Sequence, residues 1–497
     1  MSEPLDSLRY PLERRQFLGA LGTVIAGASA SARSANAGQP ATASARTTTG
    51  ITAVVAAHMA AARSATLPAA VILDAKHRLL DSLAAIVSGA HLPPGQKAIA
   101  FARAQGGIPE ATVLTTSITT SAVVAALANG MCAHADETDD AEPTTATHPG
   151  SAVVPAILAI GERQNSSGAD CLHAVVLGYD LCVRTVRAMG YLQIRNAHRS
   201  AESYGGSVGA AAAGGLLLQL NATQMAYALS YALQQASGIY SWPRDVEHIE
   251  KAFDFSGQAA RNGVTAALMV SMGFTGVPDI FDGEHNALEA LSPSPTPDEL
   301  TAELGTRFAV SESTIKAHAV GLPIQSAIDA LRKLQAQHRF SAADVTQLTA
   351  TLPGDAARVV DNREMPDVNL QYIMAVMLID GRLTFEASHS FERMRDRQVI
   401  DVRQRVRLVS DRDPNIELGS RSARIEIQLR DGRTLSEFTR YPPGSRQNPL
   451  DSAAIEDKAR LLMEPVLGRA RTDDVLRAVR AIETLESIRD LARLLRA

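Results

Sequence analysis

Two histidines bracket a short segment crowded with acid: His134-Ala135-Asp136-Glu137-Thr138-Asp139-Asp140, then Glu142, and a few residues on Thr147-His148-Pro149-Gly150-Ser151. A buried carboxylate must be paired, hydrogen-bonded or neutralised, so such a run is either a solvated loop or a site. An acidic run between helices ordinarily marks an exposed face. Here, however, His148-Pro149-Gly150 leads directly into Ser151-Ala152-Val153-Val154-Pro155-Ala156-Ile157-Leu158-Ala159-Ile160, which reads as a buried helix. A histidine at that N-terminal end stands where free backbone N–H groups and the helix dipole favour an anion. Imidazole also titrates near working pH, so His148 is suited to moving a proton beside a carboxylate.

Elements of a large protein must position these residues. The chain has 497 residues, 46% hydrophobic but only 4% aromatic, which favours helices packed closely through small side chains. A length of this order points to two domains rather than one. A formal net charge of -5 leaves no electrostatic footprint for nucleic acid. Cys132, Cys171 and Cys182 form no CxxC pair and no zinc spacing, and read as buried apolar residues.

The first residues read as an address. Arg14-Arg15-Gln16-Phe17-Leu18, an apolar run through Ala32 and the small-x-small site Ala35-Asn36-Ala37 resemble a twin-arginine export signal over residues 1–37. That predicts a periplasmic protein, with no stable membrane association after export. Residues 38–50, rich in Ala, Ser and Thr, read as a flexible lead-in.

From Ile51 the pattern is helical. Ile72, Leu79, Leu80, Leu83, Ile86 and Val87 recur at three- and four-residue spacing, with Asp74, Lys76, Arg78 and Asp81 off that stripe. Further helices are predicted over 120–133, 151–163, 169–189, 207–218, 222–237 and 257–272, an all-α block without a strand signal. Tyr204-Gly205-Gly206-Ser207-Val208-Gly209 matches no phosphate-loop spacing and reads as a helix start whose small residues permit close packing.

After Pro293, Pro295 and Pro297 the character changes. Leu348, Ala350 and Leu352 alternate with polar residues, as do Ile425, Ile427 and Leu429, and the second run meets the hairpin dipeptide Asp431-Gly432. Helices are predicted over 323–337 and 370–380, and a C-terminal helix carries Val475, Val479, Ile482, Leu485 and Ile488 on one face. The fold class predicted is mainly α: a large helical domain (residues 51–311 and 446–497) with an inserted smaller α+β lid domain (312–445).

The chain resembles the MmgE/PrpD family, which includes 2-methylcitrate dehydratase, cis-aconitate decarboxylase and iminodisuccinate epimerase. The resemblance is carried by His134-Ala135, Asp139-Asp140 and His148-Pro149-Gly150; by Gly206-Ser207-Val208-Gly209-Ala210-Ala211; by Gly257-Gln258-Ala259-Ala260-Arg261-Asn262-Gly263; by Ile315-Lys316 with Ala327-Ile328-Asp329-Ala330; and by Asn448-Pro449-Leu450. It implies a helical domain with an inserted lid, a homodimer, a cleft for small polycarboxylates, and neither metal nor organic cofactor. Carried over residue by residue, it implies His148 as acid/base, Lys316 as a carboxylate or enolate cation, and a catalytic carboxylate at Glu137 with Asp136 adjacent. His134, Asp140, His198, Lys251, His318 and Arg363 follow as substrate-binding candidates. The chain departs from the family where Gly321, Gln325 and Ser200 replace expected histidines, and where an expected lysine falls near Ala252, beside Lys251.

The chemistry these residues suit is that of a lyase or isomerase acting at a carbon α to a carboxylate, with cations offsetting enolate charge. Two other readings stand beside it. One is an exported polycarboxylate-binding protein without turnover. The other is a magnesium-dependent all-α diphosphate enzyme, in which Asp136 to Asp140 would need a second acidic motif, with Asp245, Glu247 and Asp254 offering a poor one.

Overall fold

The computed structural model describes residues 50–411 and 420–497. The export signal and nearly all of the lead-in read from the sequence lie outside the described residues. Eleven helices of the first part can be followed in order: α1 (Ile51–Ala61), α2 (Ala69–Gly89), α3 (Pro93–Gln105), α4 (Ala122–Ala133), α5 (Pro149–Gln164), α6 (Gly168–Met189), α7 (Tyr191–Asn196), α8 (Ala201–Leu217), α9 (Ala222–Gln235), α10 (Ile249–Ala252) and α11 (Gln258–Ser271). Side-chain caps fix several starts: Ser121 accepts from Val124 N–H, Ser167 from Asp170 N–H, and Asn221 with Gln224 closes a capping box.

Helix α8 begins before the glycine motif, at Ala201 rather than at the predicted Ser207. Glycine weakens an isolated helix, but close packing against α6 outweighs that here. A Cβ at Gly209 would lie 2.5 Å from the carbonyl oxygen of Gly178. The helix predicted from Gly257 is preceded by a π-helical turn over Phe253–Gly257, which joins α10 to α11.

The amphipathic reading of α2 holds for its apolar stripe, but Arg78 and Asp81 are buried rather than solvent-facing. The helix Ser452–Leu467 covers that side and delivers Lys458, whose Nζ lies 2.6 Å from Asp81 Oδ1. The single helix predicted at the C-terminus is broken into Arg469–Arg480, a 3₁₀ turn Ile482–Thr484 and Ile488–Leu494; Val475, Val479, Ile482 and Ile488 are still buried together. The first part is not free of strands either, since β1 (Ala111–Thr112) and β2 (Thr119–Thr120) form a short antiparallel pair.

The second region holds a four-stranded sheet in the order β4-β3-β5-β6, with β3 Val345–Pro353, β4 Val406–Asp411, β5 Ala423–Leu429 and β6 Thr434–Thr439. Strand β5 pairs antiparallel with β3, Leu348 opposite Ile427 and Ala350 opposite Ile425, and turns through Asp431-Gly432 into β6. The predicted alternation is met: Leu348, Ala350, Leu352, Ile425, Ile427 and Leu429 are all buried. Strand β4, unpredicted, lies parallel to β3 after a helical connection that includes Leu370–Asp380.

Two large apolar cores result. One runs from Val55 to Ile315 and takes in Ile455 to Leu495 from the C-terminus; the other is confined to Val320–Leu435. A smaller third cluster gathers Ala98, Ala102, Val113, Leu127, Ala128, Met131 and Ala252. The acidic segment lies where α4, α5 and the chain entering the second core meet. Ala141 and Thr314 exchange backbone hydrogen bonds at 3.0 and 2.8 Å, bringing Lys316 beside that segment.

Candidate active site

The acidic segment is buried almost throughout. It leaves α4 at His134 and re-enters a helix at Pro149, which needs no N–H partner at that position. Asp140 Oδ1 accepts the next N–H, that of Gly150, at 3.0 Å. A Cβ on Gly150 would lie 2.6 Å from both Asp140 Oδ1 and the Tyr179 hydroxyl, so glycine is required there. Glu142 accepts from the N–H groups of Thr144 and Thr145 and pairs with Arg187 at 3.1 Å, fixing the far side of the turn.

Asp139 joins the two histidines. Its Oδ2 lies 2.9 Å from His134 Nδ1 and 3.0 Å from His148 Nδ1, while its Oδ1 faces Lys316 Nζ at 3.5 Å. Burial pushes the Asp139 carboxyl up, but His134, His148 and Lys316 outweigh it and hold it well below the usual carboxylate range. His134 is fully buried, stacked 4.6 Å from the Phe255 ring, and burial pulls it down to about 3, so it is neutral. His148 lines the open cleft, and with Nδ1 held by Asp139 its Nε2 is the atom free for chemistry.

Glu137 is the second carboxylate. Lys316 Nζ lies 2.9 Å from its Oε2, and Lys251 Nζ bonds its Oε1. Burial raises its carboxyl, but Lys251 and Lys316, then His134 and His248, override this and keep it ionised. Lys316 is fully buried; burial would lower it, yet Glu137 and Asp139 raise it, so the ammonium persists. Lys251 also sits 5.0 Å from the ring centroids of Trp242 and Phe255, a cation–π box that orients it. Lys251 thus stands in the cleft one residue before Ala252, where the resemblance put a lysine.

The other candidates part company with this cluster. Asp136 does not line the cleft: Ser88 Oγ bonds its Oδ2, and the Thr138 N–H and hydroxyl bond its Oδ1 at 3.0 and 2.6 Å, so it ties the loop to α2. Asp140 is spent on the start of α5, with burial pushing it up to about 7. His198 is exposed, in a left-handed turn with φ 61°. His318 clamps Gln325 through its backbone, and burial, then Arg332 and Lys458, pull its ring down to about 4. Arg363 donates to the carbonyls of Val359, Arg358 and Pro243 and does not line the cleft.

Sequence reasoning also passed over residues of the cleft wall: Tyr191, Arg195, Glu202, Trp242 and Arg421. The chain's single tryptophan was the one available signal among them. Ser200 Oγ, where a histidine was expected, bonds the carboxyl groups of Glu202 and Asp254. Burial pushes Asp254 up to about 8, so it favours the protonated form, and burial also raises Glu202. His248, in a left-handed conformation with φ 63°, lies 3.6 Å from Glu137 Oε1 and 3.5 Å from Asp367 Oδ2.

Two sets of side chains, His134–Glu137–His248 and His134–Asp139–His148, converge closely enough to hold a metal ion. In both, the carboxylate already faces a lysine ammonium, which opposes a second cation. Asp136 and Asp140 turn to Ser88, Thr138 and the Gly150 N–H, while Glu137 and Asp139 share the Lys316 ammonium where a diphosphate–magnesium site needs its metal. What the cluster offers is a positioned imidazole, a carboxylate that sets its tautomer, the Lys251 ammonium on the cleft wall and the Lys316 ammonium buried behind Glu137.

Comparison with known proteins gives a consistent picture. Residues 53–300 match the MmgE/PrpD N-terminal domain and residues 318–484 the MmgE/PrpD C-terminal domain. Similar proteins include the cis-aconitate decarboxylase-like protein oryM of Aspergillus oryzae, 27% identical over 86% of this chain and 94% of the relative. The cis-aconitate decarboxylases of Aspergillus terreus (24% identical, 86% of this chain and 92% of the relative) and Mus musculus (26%, 75% and 78%) are also similar. With both domain models matched across most of its length, the chain belongs to the MmgE/PrpD family.

Proposed function

We propose that this protein is a lyase acting on a small polycarboxylic acid, and that it decarboxylates an unsaturated tricarboxylate of the cis-aconitate type. One observation carries the reading: the Asp139 carboxylate binds Nδ1 of both His134 and His148, leaving His148 Nε2 for a proton transfer beside Lys251, Glu137 and Lys316. The names of the similar proteins support the substrate class.

In the proposed reaction a carboxylate leaves as carbon dioxide and the electron pair of the broken C–C bond passes into the adjoining unsaturated system. The Lys251 and Lys316 ammonium groups offset that developing charge. His148 Nε2–H then protonates carbon, Asp139 stabilising the imidazolium beforehand, and solvent restores the proton. Dehydration is the second reading, because the same histidine run in reverse removes an α-proton while a β-hydroxyl departs as water. The test is to incubate the purified protein with cis-aconitate and with citrate-like hydroxy acids, trapping carbon dioxide and following products by NMR. Carbon dioxide release from cis-aconitate supports the first reading, water loss without it the second. Binding without consumption of any acid would instead indicate a polycarboxylate-binding protein.

A further inference from the structure

Most charged groups at the cleft are held in ion pairs, whereas Arg195 and Glu202, which both line it, act on one another only at longer range. Glu137 and Asp139 face Lys251 and Lys316, and Asp355 Oδ2 accepts from Arg421 at 3.0 Å. Arg195, at the end of α7, makes no ion pair among the described residues. It donates to the Tyr191 hydroxyl at 3.3 Å and stacks 4.8 Å from the Tyr240 ring centroid. The nearby Glu202 is held by Ser200 at 2.9 Å.

Two buried donors of the same cleft also lack partners, the indole Nε1 of Trp242 and the Nε of Arg421. Buried N–H groups are rarely left unbonded, and two such donors beside a guanidinium without an ion pair mark the place of an anionic ligand group. Leu322, Val359 and Val368 line the same cleft and suit the carbon chain of an organic acid. A guanidinium fork matches the two oxygens of a carboxylate.

We propose that Arg195, with Trp242 Nε1 and Arg421 Nε, forms a subsite for a carboxylate of the substrate that does not react, and that this subsite selects di- and tricarboxylates over monocarboxylates. The proposal rests on reading the cleft as a polycarboxylate site. Arg195 and Trp242 are specificity determinants in this account, distinct from His148 and the lysines.

The test is competitive inhibition of cis-aconitate turnover, or direct calorimetric binding, with propane-1,2,3-tricarboxylate, butyrate and inorganic phosphate as probes. These are compared for the wild type, Arg195→Met, Arg195→Lys and Trp242→Phe, each checked for an unchanged melting temperature. Loss of one charge-assisted hydrogen-bonding group weakens binding about 10- to 100-fold. Arg195→Met is therefore expected to weaken tricarboxylate binding by that factor while leaving butyrate within about twofold, with Arg195→Lys recovering part of the loss. Trp242→Phe, which removes the indole N–H while keeping an aromatic face beside Lys251, is expected to weaken the tricarboxylate by about 3- to 10-fold. If the wild type binds the tricarboxylate and Arg195→Met binds it equally well, this subsite is overturned and the proposed function stands. Phosphate competing as strongly as the tricarboxylate overturns the carboxylate assignment. A wild type that binds none of the acids overturns both readings.

Discussion

His148 and Asp139 act as a pair, and their substitution should separate chemistry from binding. His148→Gln is expected to lower kcat by about 10²- to 10⁴-fold with KM little changed, measured by steady-state turnover of cis-aconitate. Asp139→Asn keeps the shape but no longer selects the His148 tautomer, and should lower kcat while the melting temperature shows the protein still folded. Lys316→Met leaves Glu137 and Asp139 with less compensation in a dry site and is expected to cost about 3–5 kcal/mol in urea unfolding. Asp254 gives a pH signature. Its folded pKa, about 8, lies above the unfolded value, so the folded state holds a proton the unfolded state has lost, and stability falls as pH rises between roughly 4 and 8. Asp254→Asn should flatten that part of the profile in urea melts taken across the range. Among single residues, His148, Glu137, Lys316 and Lys251 were legible because each stands in or beside a motif. Arg195, Trp242 and Arg421 were not, because only the tertiary fold brings α7, the turn before α10 and the start of β5 to one cleft.

At the scale of elements, sequence periodicity found α4, α5, α6, α9, β3, β5 and the helix Leu370–Asp380, where apolar spacing, caps and turn dipeptides agree. It misplaced the start of α8 and missed β4, for different reasons. In α8 a glycine-rich start was expected, yet the glycines lie inside the helix because two backbones approach there. Gly209→Val should therefore overpack the contact with Gly178 and lower stability by about 1–3 kcal/mol, read as a drop in melting temperature. In β4, Val406-Arg407-Leu408-Val409 breaks strict alternation, and only pairing with β3 makes it a strand. The acidic segment shows how local reading fails for charge: a run with the composition of a solvated loop is buried because Lys251, Lys316 and Lys458 arrive from three distant segments to compensate it or its supports.

The whole molecule is thus tied together through buried ion pairs at the junction of its two cores. Lys458, from the C-terminal helix, reaches both Asp81 on α2 and the carbonyl of Thr138 in the acidic segment, at 2.6 and 2.7 Å. Acid should act on this junction. Glu137 and Asp139 titrate below their unfolded values, so their contribution to stability is present above the unfolded range near pH 4 and is lost as pH falls through the folded values. Lys316, raised, contributes below about pH 10.4 and loses that contribution as pH rises through its folded value. The central claim, a proton delivered to carbon by His148 in a polycarboxylate lyase, is tested most directly by NMR of cis-aconitate turnover in deuterated water, wild type beside His148→Gln. The account predicts carbon dioxide release and one deuterium at the protonated carbon in the wild type, with both lost in the folded variant. Absence of exchange and of carbon dioxide in the wild type, or an undiminished rate in His148→Gln, would contradict it.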